Sequence, residues 1–332
     1  METIKQAAYM LGVLLLSVRG FSQNGDSTNV PKQIVAYAAD KFSNIRPLNF
    51  EFAHAGPYNF TANRGSVKLP GSKVNSFTQA KTSATLVFIK RKTWMLGTSL
   101  GYKYTNGVIA LTDPASGSIR DMDGRAHYFS ASANFTRFST LFNKKAVYYA
   151  RLIVDGSDKY VERVKGLISG ALVLKANERT KITAGLLLNI DPSSQVPVTP
   201  VFSYEHKFGN GLMADFTLPK NGYLRKRLFN GTGRVSLGME MEGTSFYLYN
   251  FDGTPQKYEY RQMDINAGVV YEHALGGFII TAKTGIKITP SGRIFRKEDS
   301  FAHPVYKTKP DPAFYCSVGV SYNPFTFLQN KK

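Results

Sequence analysis

One cysteine in 332 residues, Cys316, excludes a disulfide framework and any cysteine-rich metal site. Long apolar runs are missing as well. Beyond residue 18 nothing approaches the roughly 20 consecutive apolar residues that a helical span requires, and mean hydropathy is −0.21. This rules out a polytopic helical membrane protein but not a membrane β-barrel, whose strands alternate polar and apolar residues. Acid is scarce: 23 Asp+Glu stand against 42 Lys+Arg, a formal charge of +19. Helical periodicity is nearly absent after residue 45. No G-x-S-x-G elbow and no glycine-rich phosphate loop occur, Gly209-Asn210-Gly211 reading as a turn. Apolar material is plentiful at 43%, which excludes general disorder.

The one sizeable apolar run, Ala7–Val18, is too short to span a bilayer and reads as the core of a signal peptide covering 1–22, with cleavage after Gly20-Phe21-Ser22. Residues 23–44 are expected to be an N-terminal periplasmic segment. From there the chain alternates. Trp94, Leu96, Thr98, Leu100, Tyr102 and Tyr104 share one strand face, while Gly97, Ser99, Gly101 and Lys103 share the other. The pattern repeats at Ile182–Leu188, Val235–Met241, Met263–Tyr271, Phe278–Ala282 and Phe314–Tyr322.

Fourteen strands are expected, at about 45–54, 76–90, 93–104, 127–138, 145–155, 165–175, 180–190, 199–208, 211–219, 232–241, 244–251, 258–272, 277–289 and 312–325. The first and sixth are the faintest, so twelve is the competing count. Connections between them alternate long and short. Tight turns such as Gly209-Asn210 fall at one end, and loops rich in Gly, Pro, Asp and Asn, such as Asp113–Gly117, fall at the other. A soluble β-sandwich has no reason to segregate its turns; a membrane barrel does, with short periplasmic turns and long extracellular loops. The expected fold is therefore all-β: a single transmembrane up-and-down antiparallel barrel over 45–325, followed by a short tail, 326–332. Closure pairs every backbone polar group, as lipid demands. Tyr102, Tyr104, Phe129, Phe135, Phe138, Tyr148, Tyr149, Tyr258, Tyr260 and Phe325 are placed as interfacial aromatics.

The signal segment, the meander and a last strand running Phe314–Phe325 resemble bacterial outer-membrane β-barrel proteins. The stretch Asp191–Phe229 is similar to an uncharacterised family of Bacteroidetes outer-membrane barrels: a loop with Pro197 and Pro200, a strand, a tight turn, a strand ending Leu218-Pro219-Lys220, then a basic loop. The resemblance implies a barrel in a Gram-negative outer membrane and assigns no catalytic residue. It departs from many outer-membrane barrels in carrying Leu328-Gln329-Asn330-Lys331-Lys332 beyond its terminal aromatics.

With the apolar set facing lipid, the other set faces inward. Lys81, Lys103, Lys283 and Lys287 then line one wall, with no inward acid beside them. Glu205, Asp215, Glu240, Asp264 and Glu272 line the opposite wall, diluted by Lys207 and Arg234; Arg151 and Lys181 also point inward. Opposed charge across a watery lumen would select small polar or anionic solutes. The competing reading is a filled interior whose charges satisfy one another. Lys220, Arg225, Lys226 and Arg227 are expected in one extracellular basic loop.

None of the five histidines has a metal spacing, and nothing calls for a cofactor. Nucleic-acid binding is not expected, because the basic residues lack a binding module and the chain is exported. Partners are expected to be outer-membrane lipid, the outer-membrane assembly machinery and a small solute. The leading expectation is thus a non-enzymatic channel or transporter. The alternatives are a closed structural or adhesive barrel binding a surface partner through its loops, and a barrel hydrolase marked by a Ser–His contact on the outer rim.

Overall fold

In the computed structural model, which describes residues 29–113, 116–251 and 253–324, one antiparallel sheet runs back onto itself. A helix, α1 (Asn29–Lys41), leads into β1 (Leu48–Ala55), β2 (Tyr58–Arg64), a two-residue β3 (Val67–Lys68), β4 (Ser72–Lys90), β5 (Trp94–Thr112), β6 (Ile119–Leu141), β7 (Lys144–Gly156), β8 (Val161–Ala176), β9 (Thr180–Ile190), β10 (Val198–Lys207), β11 (Leu212–Leu218), β12 (Asn221–Leu228), β13 (Gly233–Tyr249), β14 (Lys257–Leu275), β15 (Phe278–Arg296), β16 (Tyr306–Pro310) and β17 (Ala313–Tyr322). β1 and β2 form one stave, broken at Gly56-Pro57: β1 pairs with β4 and β17, and β2 with β4 and β16. β16 and β17 likewise form one stave, broken at Asp311-Pro312. Proline supplies no N–H to a ladder, so each break falls where pairing would otherwise fail. The result is a closed ring of 14 staves.

The expected count holds although two of its members differ. Residues 221–228, expected as a basic loop, are a strand, and the separate strands expected at 232–241 and 244–251 are a single β13. β12 escapes a period-two reading because Arg225-Lys226-Arg227 interrupts the alternation, leaving Leu224 to mark its lipid side. Arg225 therefore does not belong to an extracellular loop; it is buried in the lumen.

The outside of the barrel is apolar all the way round. Leu100, Leu152, Ile168, Leu186, Phe202, Leu224, Leu237 (59% exposed), Met239, Val269, Ile280, Ile286, Phe314, Val318 (60%), Val320 and Phe50 point away from the lumen. Aromatics frame the band on β5 and β6, with Trp94 against Phe135 at one height and Tyr102 against Phe129, 4.8 Å between centroids, at another. Tyr149, Tyr258 and Tyr260 are not part of this frame: Tyr149 and Tyr260 donate to Asn134 and Gln262, and Tyr258 is buried. An even-numbered antiparallel barrel with an apolar exterior is the architecture of outer-membrane barrels, and this chain is one. The expected signal segment 1–22, Phe325 and the tail 326–332 lie outside the described residues.

One region departs from a simple cylinder. β11 and β12 are short, and their hairpin ends where Asn221 pairs with Glu240 and Met241 N–H donates to Lys220 O at 2.7 Å. Above that level β13 has no strand partner on its β12 side among the described residues, and β13–β14 folds inward. Just below, the lumen-side row Tyr223–Gly238–Gly268–Gly285–Tyr315 crosses five strands. A Cβ on Gly268 would lie 2.1 Å from Thr284 O, so only glycine permits this tight curvature. On β13 the face carrying Leu237 and Met239 toward lipid carries Ser245, Tyr247 and Tyr249 higher up. On β14 the face of Val269 becomes that of Arg261 and Glu259. These upper residues pack against the inner wall of β7 and β8.

Candidate functional site

The lumen is the site. Its inward side chains come from alternate positions of every stave, and most of its cations meet a carboxylate. Lys81 bridges Glu51 at 3.1 Å and Glu242 at 2.5 Å; Lys103 lies 3.7 Å from Glu242 and donates to Gly243 O at 2.8 Å. Lys283 bridges Glu51 at 3.1 Å and Glu240 at 2.6 Å, and Lys287 reaches Asp264 at 2.8 Å. All four expected lysines are inward, but their wall is not free of acid. Glu51, on the stave whose sequence signal is faintest, stands among them. Nor does a watery gap separate two walls of opposite sign, because Glu240, Glu242 and Asp264 lie within ion-pair distance of the lysines. The inward fold of β13–β14 brings them there, which strand parity cannot show.

A narrow cavity remains among these groups, lined in part by Glu51, His54, Phe77, Gln79, Lys81, Glu240 and Lys283.

The other expected acids surround α1. Tyr37 donates to Glu205 at 2.5 Å, and Lys181 approaches Glu205 at 3.3 Å. Asp215 takes Lys41 at 2.5 Å and Arg225 at 3.0 Å. Glu272 takes Arg46 at 2.6 Å and Arg234 at 2.5 Å, while Arg234 also reaches Asp40 at 3.2 Å. Arg46 is 1% exposed and further donates to Ala39 O and Ser321 Oγ. The helix that follows residues 23–28 therefore sits against inward-facing side chains of β9, β10, β11, β13 and β14, held by ions and hydrogen bonds. The backbone bonds of a helix satisfy themselves, which lets it occupy a lumen where an irregular segment would leave polar groups bare.

A second cluster, absent from the sequence reading, closes the outer half. Asp155 accepts from Tyr128 at 2.5 Å and Tyr247 at 2.8 Å and pairs with Lys165 at 2.7 Å. Glu259 takes Arg163, Arg261 and Ser245, each at 3.0 Å. Asp191 takes Arg261 at 3.2 Å, and Glu162 takes Lys257 at 3.0 Å and Lys297 at 2.6 Å. The signal for this cluster was present in the sequence as polar residues at lipid-facing parity on β13 and β14.

The wall of β4 to β7 is different. Apart from Lys81, Lys103, Arg151 and Asp155, its inward polar groups are mostly hydroxyls and amides. Asn134 donates to Ser99 at 2.8 Å, Thr85 to Ser99 at 3.1 Å, and Arg151 Nε to Ser132 at 2.9 Å. Lys81, Lys103, Lys165, Lys181, Arg225, Arg234, Lys283 and Lys287 each reach a carboxylate; Arg151 forms no ion pair among the described residues.

Among the described residues no group of three or more His, Cys, Asp or Glu could hold a metal. Ser300 and His303 do meet at 3.1 Å near the outer rim. That contact belongs to a local turn, closed by His303 N–H to Ser300 O at 3.0 Å, and among the described residues no carboxylate orients the other ring nitrogen.

No protein-family model matches the sequence, and no curated protein matches it. Several solved bacterial outer-membrane barrels are similar in outline. The transport unit of the autotransporter AIDA-I from Escherichia coli shares 9% identity over 91% of this chain and 100% of that one, with a TM-score of 0.31. An outer membrane channel from Pseudomonas putida F1 shares 10% over 91% and 99%, with a TM-score of 0.34. A Pseudomonas aeruginosa FadL homologue shares 8% over 83% and 90%, with a TM-score of 0.30. At these levels none of them carries over a role for any residue of this chain.

Proposed function

We propose that this protein is a normally closed outer-membrane channel for small polar or anionic solutes, inserted by the outer-membrane assembly machinery, with α1 as its plug. The observation that carries the reading is the nature of the obstruction. What fills the lumen is ionic and hydrogen-bonded, so its groups can exchange one another for water, whereas an apolar filling would have to be exposed at full hydrophobic cost. The β4–β7 wall, lined by hydroxyls, is the side along which a solute would move.

In planar bilayers the intact protein should show rare, brief openings, and deletion of 29–42 should raise the open fraction at least tenfold. Bilayers silent with both proteins would sink the channel. A second reading would then stand, favoured by the wall-to-wall contacts of Asp155 with Tyr247: a closed structural or adhesive barrel that binds a surface partner through its loops. The likeness of Asp191–Phe229 to a Bacteroidetes family supports the membrane location and is silent on both activities.

A further inference from the structure

We infer that Arg151 is the anion-recognition residue of the lumen and that its ligand is a short aliphatic carboxylate; the inference deepens the channel reading and rests on it. Three observations converge. Arg151 points inward from β7, alternating with the lipid-facing Leu152 and Val154, and among the described residues no carboxylate pairs with it, whereas Lys81 and Lys103 of the same wall are paired. Its guanidinium is already oriented. Nε donates to Ser132 at 2.9 Å, and Ser132 is in turn tied to Asn134 at 3.3 Å. That leaves the Nη pair without a hydrogen-bond partner among the described residues, and a guanidinium edge held in this way matches the two oxygens of a carboxylate. The lysines first expected to set selectivity already spend their charge on Glu51, Glu240, Glu242 and Asp264.

The third observation concerns the neighbours. Leu167 stands directly opposite Arg151 on β8, and Ile153 follows it on the same face of β7. Both are half-buried. An inorganic oxyanion would waste this apolar surface, while a three- or four-carbon carboxylate places its head on the guanidinium and its tail against Leu167 and Ile153.

The test is titration of the full-length protein in detergent with butyrate, acetate and inorganic phosphate, read by calorimetry. Binding is measured without conduction, so its outcome is separate from that of the bilayer experiment. Butyrate should bind more tightly than acetate or phosphate. Arg151→Gln should weaken butyrate at least tenfold, Arg151→Lys should weaken it less, and Lys81→Gln should leave it within twofold. Leu167→Ser, which keeps the arginine, should abolish the preference for butyrate over acetate. Tighter binding of phosphate, equal loss in Lys81→Gln, or butyrate binding unchanged in Arg151→Gln would each overturn the assignment, as would absence of butyrate binding to the unmodified protein.

Discussion

The two sides of the lumen are built on different principles. From β9 round to β15, α1 and the strands interlock through paired carboxylates, several of which bind two cations, as Glu272 binds Arg46 and Arg234 and Asp215 binds Lys41 and Arg225. From β4 to β7, hydroxyls and amides form a shallow network around the Arg151 guanidinium, which no carboxylate pairs with among the described residues. Both sides present the same apolar exterior. The inside of an outer-membrane barrel is thus free to vary by sector, because lipid constrains one face of each strand and leaves the other to local need.

The largest expected effect lies in the crowded sector. Glu272→Ala removes the partner of two arginines, one of them 1% exposed, and should destabilise the barrel by about 3–5 kcal/mol, measured by urea unfolding in micelles. A loss below about 1 kcal/mol would mean that the crowded sector is no more tightly bound than the hydroxyl one. Next come paired lipid-side substitutions. Leu237→Lys and Leu100→Lys, one on each sector, should each cost about 2–4 kcal/mol in lipid vesicles, because the exterior does not distinguish the two. Unequal costs would break the claim that both sectors share one exterior.

Asp155→Asn tests the junction of the sectors. It keeps the shape but weakens the acceptor for Tyr128, Tyr247 and Lys165, and should cost about 1–3 kcal/mol. Hydrogen exchange should accelerate over 241–249 of β13 while 233–240 stays protected. Uniform exchange along the strand would show that the infolded half is not a separate unit. The smallest effect belongs to the hydroxyl wall: Ser132→Ala should cost at most about 1 kcal/mol and leave α1 in place, which protease protection of residues 29–41 would report.

Much of the barrel was legible from residues alone. The lipid face could be read wherever a strand alternates cleanly, as β5, β9 and β15 do. It could not be read on β12, where consecutive cations mask the pattern, nor across Glu242-Gly243, where β13 looks like two strands. Inward direction was legible for Lys81, Lys103, Lys283, Lys287, Glu205, Asp215, Glu240, Asp264 and Glu272, since parity alone decides it. Their partners were not. Glu51 and Arg46 sat on a faint strand, Glu242 fell in an expected turn, and Lys41 lay ahead of the expected barrel.

By itself the sequence determined an all-β membrane cylinder and which side of most staves meets lipid. Those properties follow from the two-residue repeat of an extended chain, a local rule that needs no knowledge of neighbours. The tertiary structure decided which charges meet, where α1 lies, and that β13–β14 folds inward against β7 and β8. Such outcomes depend on register and curvature summed around the whole ring, and on where the short β11–β12 hairpin stops supporting its neighbour, which no single segment encodes.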